Sequence, residues 1–256
     1  MVKNNVGASS QTVSRALSVL ELLAQRGALG VREMARHFDI APSIVQRLIN
    51  SLAESGFVEK AVENSKWKIG HKSYQVGAAF LNNTDLNAAA VQELRYLADE
   101  KKINGFLGVE RDGHIVYLAT VQSEGALSVT NSPGSKTYLH STALGKAILA
   151  DLSDKDIMAK LGPAPYKQIT KKTRKTFAAL LKDINDCRRL GYAISDEENL
   201  DNVFSVGAPI RDANGVTIAA ISGAVPRQKL SNKAILEFCQ LIKDAAGRAS
   251  RRLGAP

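Results

Sequence analysis

The side chains best suited to chemistry lie between Ser43 and Asn50. Ser43, Ile44, Gln46, Arg47 and Asn50 fall on one side of a helical spacing, opposite the apolar stripe Val45, Leu48, Ile49 and Leu52. None of the five is acidic. Arg, Gln and Asn can each form two hydrogen bonds at once with a base edge in the major groove of DNA. Lys66 and Lys68 lie a short distance downstream and are expected to reach backbone phosphates, which position a protein on DNA without reading sequence.

Catalytic chemistry is the rival reading. His140 and Ser141 are adjacent, and His114, Cys187 and Asp196 are also present. Yet the chain carries no G-x-S-x-G, H-E-x-x-H, P-loop or dinucleotide fingerprint. Neighbouring His and Ser on a strand would point to opposite faces. No catalytic residue is therefore assigned. Cys187 and Cys239 lie far apart and outside any C-x-x-C, so neither a disulfide framework nor a metal site follows, and no cofactor is expected.

The elements that must position the reading face are short. Val31, Met34, Ala35 and Phe38 make one helical stripe, Asp39-Ile40-Ala41 a turn, and Pro42 suits the first position of the next helix. Gly56 suits that helix's C-terminal end. This is a helix-turn-helix, in which the second helix enters the major groove. An earlier helix ends at Gly27, and its Val13, Ala16, Leu17, Leu20 and Leu23 are expected to cover the pair. Phe57-Val58 and Trp67-Lys68-Ile69 read as strands about a turn at Glu63-Asn64-Ser65, which makes the unit a winged helix. A winged helix used for protein contacts alone is the other reading of this stretch.

Further along, His71 to Asn82 reads as a connecting helix, and Leu86, Ala90, Leu94 and Leu97 mark a longer one. Strands follow at Phe106 to Glu110, Ile115 to Val121 and Ala126 to Val129. Thr142 can cap a helix from Ala143 to Ala150, and Ser153 starts another. The basic run Lys171 to Lys175 reads as the exposed start of the helix carrying Phe177, Leu180, Leu181, Ile184 and Cys187. An Asn214-Gly215 turn joins Val203–Arg211 to Val216–Val225, and a last helix runs from Ser231 to about Leu253. The fold class is α+β with a mainly antiparallel sheet.

The net charge of +9 favours polyanionic partners. Ten basic and six acidic residues up to Asn83 leave +4 of it there, a modest concentration. With no apolar run near the ~20 residues a bilayer span requires, no membrane partner is expected. The polar start MVKNNVGASSQ is not a signal peptide, so a cytoplasmic location is expected.

Three segments together resemble the IclR family of bacterial transcription regulators. They are the winged helix (Val31-Arg-Glu-Met-Ala, Gln46-Arg47-Leu48, Gly56-Phe57-Val58), HSTALGKAILA from His140, and SDEEN from Ser195 followed by VGAPIRDANGVTIAAIS from Val206. Their order and spacing extend the resemblance from about Thr12 to the end. It implies a DNA-binding winged helix over residues 1–70, a linker helix over 71–84 and a GAF-like effector-binding domain over 85–256. It implies a homodimer or tetramer on palindromic double-stranded operator DNA. The expected function is a ligand-responsive regulator, a repressor of a metabolic or catabolic operon, with a small organic acid as effector.

The helix start at Ala143 and the resemblance together give an expected place for the effector. The amides of Ala143 and Leu144, behind the Thr142 cap, would face a carboxylate. In relatives that bind small keto acids, further polar groups come from an Asp in the D-E-E segment, a Cys on the next strand and two Ser on the strand after. Asp196, Ser205 and Ser222 stand at those places here, and Ala224 stands where the second Ser would be. Losing one hydrogen-bonding group disfavours a two- or three-carbon keto acid and favours a larger, partly apolar acid, aromatic ones included.

Overall fold

The computed structural model describes residues 10–61, 65–82, 85–124 and 131–256. The expected turn at Glu63-Asn64 and the expected strand from Ala126 to Val129 lie outside them. The chain divides into two compact units, Met1–Asn83 and Thr84–Pro256.

The first unit packs three helices, α1 (Gln11–Arg26), α2 (Val31–Phe38) and α3 (Pro42–Glu54), against a two-stranded wing of β1 (Val58–Lys60) and β2 (Trp67–Ile69). Met34 and Ala35 from α2, Val45, Leu48 and Ile49 from α3, and Val58 from the wing are buried together. The turn forms because Asp39 adopts a left-handed backbone, φ 51°, and Pro42 then opens α3. Gly56, φ +77°, reverses the chain after α3. Leu29 exchanges backbone hydrogen bonds with Trp67 at 2.9 and 2.8 Å and so ties the α1–α2 connection to the wing. The helix α4 (His71–Asn82) follows the wing within this unit.

One expectation for α1 needs correction. Val19, Leu22 and Leu23 are the residues it buries, whereas Val13 and Leu17 are 57% and 56% exposed. The helix carries apolar residues on two sides, and the three-helix core takes only one of them.

The second unit is an antiparallel six-stranded sheet in the order β5-β4-β3-β8-β7-β6. Its strands are β3 (Asn104–Arg111), β4 (His114–Val121), β5 (Lys136–Tyr138), β6 (Ala193–Asp196), β7 (Val203–Arg211) and β8 (Thr217–Pro226). Two long helices, α5 (Asp85–Asp99) and α9 (Asn232–Arg252), pack on one face. On the other lies α6 (Ala143–Leu149), backed by α8 (Phe177–Leu190), with α7 (Asp154–Leu161) between them in sequence. Phe106, Tyr117, Leu144, Ala147, Leu180, Ile184 and Ala220 belong to the core on the α6 side. The unit is α+β, with a mainly antiparallel sheet.

Sequence periodicity missed β5 and β6, which are too short to show an alternation. The basic run is also corrected. α8 begins at Phe177, where the Thr176 hydroxyl accepts the Ala179 N–H, so Lys171 to Lys175 precede the helix as a loop. Buried Thr173 pins that loop by accepting the Ile169 and Thr170 N–H groups and donating to the Glu198 carbonyl at 2.7 Å. Lys172 pairs with Glu197 and Arg174 with Asp183.

Candidate functional site

In the first unit α3 stands with its apolar side on α1 and α2, which leaves Ser43, Gln46, Arg47 and Asn50 exposed and Ile44 half-buried. The Gln46 amide donates to the Asn50 side-chain oxygen at 2.8 Å. That bond orders both side chains along the helix and leaves the Gln46 oxygen and the Asn50 amide pointing outward for other partners. Arg47 has neither a carboxylate nor a hydrogen-bond acceptor among the described residues.

The wing lysines are arranged differently. Lys66 pairs with Glu33 at 3.1 Å and Lys68 with Glu59 at 3.0 Å. The Gly30 N–H, then Lys66, hold the Glu33 carboxyl below its ordinary range. Lys60 lies over the Trp67 ring. The wing's charge is therefore partly matched within the unit.

In the second unit the strand register decides which side chains meet. Ser195 stands opposite Ser205, Ser205 opposite Ala224, Gly207 opposite Ser222, and Ser222 opposite Phe106. Directly opposed residues share a face of the sheet, and this face looks toward α6. A cavity of about 350 Å³ opens there, lined by Thr142, Ala143 and Leu144, by Ser195, Ser205, Ser222 and Ala224, and by Phe106, Tyr117, Asn131, Asn199, Leu200 and Val203. The hydroxyls of Ser205 and Ser222 have no hydrogen-bond partner among the described residues. At the N-terminus of α6 the Thr142 hydroxyl accepts the Gly145 N–H at 3.1 Å and donates to the Tyr138 carbonyl at 2.7 Å. The Thr142 carbonyl accepts from Lys146, and the Ala143 and Leu144 amides have no acceptor among the described residues. Burial pushes the Tyr117 phenol up to about 12, so it remains a neutral hydroxyl.

Asp196 is a correction. It is one residue beyond Ser195 on β6 and therefore points to the opposite face, beside Phe204. There Arg227 donates to it at 2.8 Å. Ser195 takes the inward place instead, and its hydroxyl donates to the Ser141 carbonyl at 2.7 Å. The adjacent His140 and Ser141 sit in a turn rather than on a strand. His140 Nε2 bonds the Lys167 carbonyl, while Ser141 donates to Asn199 at 2.8 Å.

The group that holds this wall is barely legible in the sequence. Lys146 is wholly buried, and its ammonium lies 2.6 Å from Asp183 Oδ2, 2.7 Å from both Glu198 oxygens and 3.1 Å from the Ile194 carbonyl. Lys146 reads as a surface lysine in a short helix. Only its i−4 to i+3 apolar neighbours, Thr142 aside, hint that every position of α6 is inside.

Among the described residues no helix is long and apolar enough to cross a membrane, and no cluster of His, Cys, Asp and Glu could hold a metal ion.

Comparison with known proteins points one way. The model of the IclR helix-turn-helix domain matches residues 12–61, and that of the bacterial transcriptional regulator IclR C-terminal domain matches residues 78–251. The HTH-type transcriptional regulator BhcR of Paracoccus denitrificans is 28% identical over 94% of this chain and 86% of its own. The crystal structure of Thermotoga maritima IclR superposes with a TM-score of 0.81 at 27% identity, over 95% of this chain and 98% of that one. An IclR homologue from Microbacterium hydrocarbonoxydans, solved with 4-hydroxybenzoate, has the same fold, with a TM-score of 0.82 at 19% identity over 94% and 98% of the two chains.

Proposed function

The chain belongs to the IclR family of bacterial transcriptional regulators, which bind DNA, and on that premise we propose that it is an acid-responsive repressor of a metabolic operon. The observation that carries the effector part is the cavity beneath α6, with two serine hydroxyls and two amides on its wall that have no partner among the described residues. An anion suits that wall because the amides and the helix dipole present partial positive charge. Ser205 and Ser222 supply the polar donors, while Phe106, Leu144, Val203 and Ala224 supply an apolar side. At about 30 Å³ for each water, the cavity has room for about twelve non-hydrogen atoms. That size suits a hydroxylated aromatic or similar acid better than a two- or three-carbon keto acid. The 4-hydroxybenzoate bound by the Microbacterium homologue is a ligand of this kind in the same fold.

The DNA part rests on α3. Ser43, Ile44, Gln46, Arg47 and Asn50 would face the major groove, with Lys66 and Lys68 near the phosphates. A homodimer or a tetramer on a palindromic operator would double those contacts. The exposed Val13 and Leu17 of α1 leave an apolar strip for such pairing. An effector can release DNA only by binding the competent and incompetent arrangements unequally.

The test is calorimetry with a panel of aliphatic and aromatic acids, followed by titration of the tightest one into the complex with a duplex selected from a random library. An aromatic or similarly large acid should bind best and should release the duplex. A tightest ligand of two or three carbons would overturn the effector reading, and a failure to enrich any duplex would overturn the DNA reading.

A further inference from the structure

Between the start of α1 and the exposed middle of α3 lies a cleft of about 250 Å³, lined by Thr12, Arg15, Ile44, Arg47, Leu48 and Ser51. Two arginines enter it from different helices. Arg15 is half-buried, Arg47 is exposed, and neither has a carboxylate, carbonyl or ring partner among the described residues. Their solitude contrasts with the wing, where Lys66 and Lys68 each have a glutamate. A guanidinium has five N–H donors and no acceptor, and partly burying it without a partner is unfavourable unless an anion completes the site. Thr12 and Ser51 bring hydroxyls to the same cleft. Thr12 also belongs to the first turn of a 16-residue helix, whose N-terminal dipole adds positive potential.

We infer that this cleft clasps one DNA backbone phosphate between Arg15 and Arg47, so that Arg47 positions the duplex rather than reading a base. The inference rests on the DNA-binding reading above and refines it. Two guanidinium groups and two hydroxyls match a phosphodiester, which offers acceptor oxygens and a single negative charge. A base edge in the major groove would take Arg47 alone and leave Arg15 without a role. Base reading then falls to Gln46 and Asn50, whose mutual hydrogen bond fixes their outward groups.

The inference separates phosphate contacts from base contacts in one experiment. The full chain and its Arg15→Gln, Arg47→Gln and Gln46→Ala variants are titrated over a salt series. The probes are a random-sequence duplex and a duplex selected by the wild type. Arg15→Gln and Arg47→Gln should each lower the salt slope by about one unit on both duplexes and leave the ratio of the two affinities unchanged. Gln46→Ala should leave the slope and shrink the ratio. Thermal melting of each variant checks that the substitutions leave the fold intact. An Arg15→Gln slope equal to the wild type's would overturn the clasp, as would a reduced affinity ratio in Arg47→Gln. If the wild type binds neither duplex, the DNA-binding reading itself fails, which is a different outcome from either of these.

Discussion

Lys146 and Glu198 form a buried ion pair, the ammonium 2.7 Å from both carboxylate oxygens, with side-chain exposures of 0% and 3%. The other ammonium protons reach Asp183 and the Ile194 carbonyl, so all three donors are used. The pair joins α6 to the segment after β6, whose next residue, Asn199, lines the cavity. Removing one partner strands the other charge in the interior. Lys146→Met should therefore cost ~3–5 kcal/mol in urea unfolding, and adding Glu198→Gln should recover part of that loss. A single variant within about 1 kcal/mol of wild type would show that the pair is not needed.

His140 predicts a dependence on pH. Its ring lies between Tyr138 and Tyr166 at 5.6 and 5.3 Å between centroids. Burial, chiefly, and then the nearby Lys146 charge hold its pKa below the ordinary histidine value, against the opposing pull of the Lys167 carbonyl. The unfolded chain thus binds the proton more readily than the folded one. Stability should be full above about pH 6.5, the unfolded value, and decline as pH falls from there through the lower folded value. Tm should drop between about pH 7.5 and pH 5.5, and the drop should be shallower in His140→Gln. Parallel curves for the two proteins would exclude His140 as the cause.

The legible parts were those with a long period or a strong stop signal. The α2 and α3 stripes, the Asn214-Gly215 turn and the Thr142 cap all work within a few residues, so local sequence carries them. Elements of three or four residues, such as Lys136–Tyr138 and Ala193–Asp196, owe their pairing to distant partners and leave no local period. The same limit explains Asp196 and Ser195. Motif position brings the segment to the cavity, but a one-residue step on a strand exchanges the faces, and only the register with Ser205 fixes which residue enters. Ser195, Phe106 and Tyr117 escape the sequence for that reason, and Asn199 because it lies in the bend after β6, where no period applies. Lys146 was missed because a buried lysine is recognisable only by the acids that surround it.

The wing offers a prediction through its acids. Glu59 holds Lys68 at 3.0 Å, both of them nearly half exposed. Glu59→Gln should free Lys68 for a phosphate and remove a repelling charge. Binding to every duplex should tighten by roughly 0.5–1 kcal/mol at low salt, with a steeper salt slope. Filter binding over a salt series would show it, and unchanged affinity would mean that the wing does not approach DNA.

Gly207 predicts how closely α6 must approach the sheet. A Cβ at this position would lie 2.6 Å from the backbone carbon and oxygen of Ala143. Because the obstacle is backbone, no side-chain rotation can relieve it. Gly207→Ala should push the start of α6 off β7, with a stability loss of about 1–3 kcal/mol. The displacement would also move the Ala143 and Leu144 amides away from the cavity. Effector affinity should then fall in calorimetry at a temperature where the variant is folded. Wild-type affinity in a folded Gly207→Ala protein would place the acid elsewhere.

Side-chain direction on β6 and β8 gives the sharpest test of the effector reading. Ala224 lies on the cavity wall, opposite Ser205, and is 4% exposed. Enlarging it to Leu adds apolar volume to a space with room for about twelve non-hydrogen atoms. Ala224→Leu should thus weaken the tightest acid at least tenfold, about 1.4 kcal/mol, through lost room for its apolar body. Asp196→Ala should leave the affinity within twofold, because its carboxylate faces the other side of the sheet and pairs with Arg227. That substitution should cost about 0–1 kcal/mol of stability, as expected for a partly exposed ion pair. The two variants therefore have opposite signatures, one in binding and one in unfolding. If Asp196→Ala abolished binding while Ala224→Leu bound as wild type, the acid would lie on the α9 side of the sheet and not beneath α6.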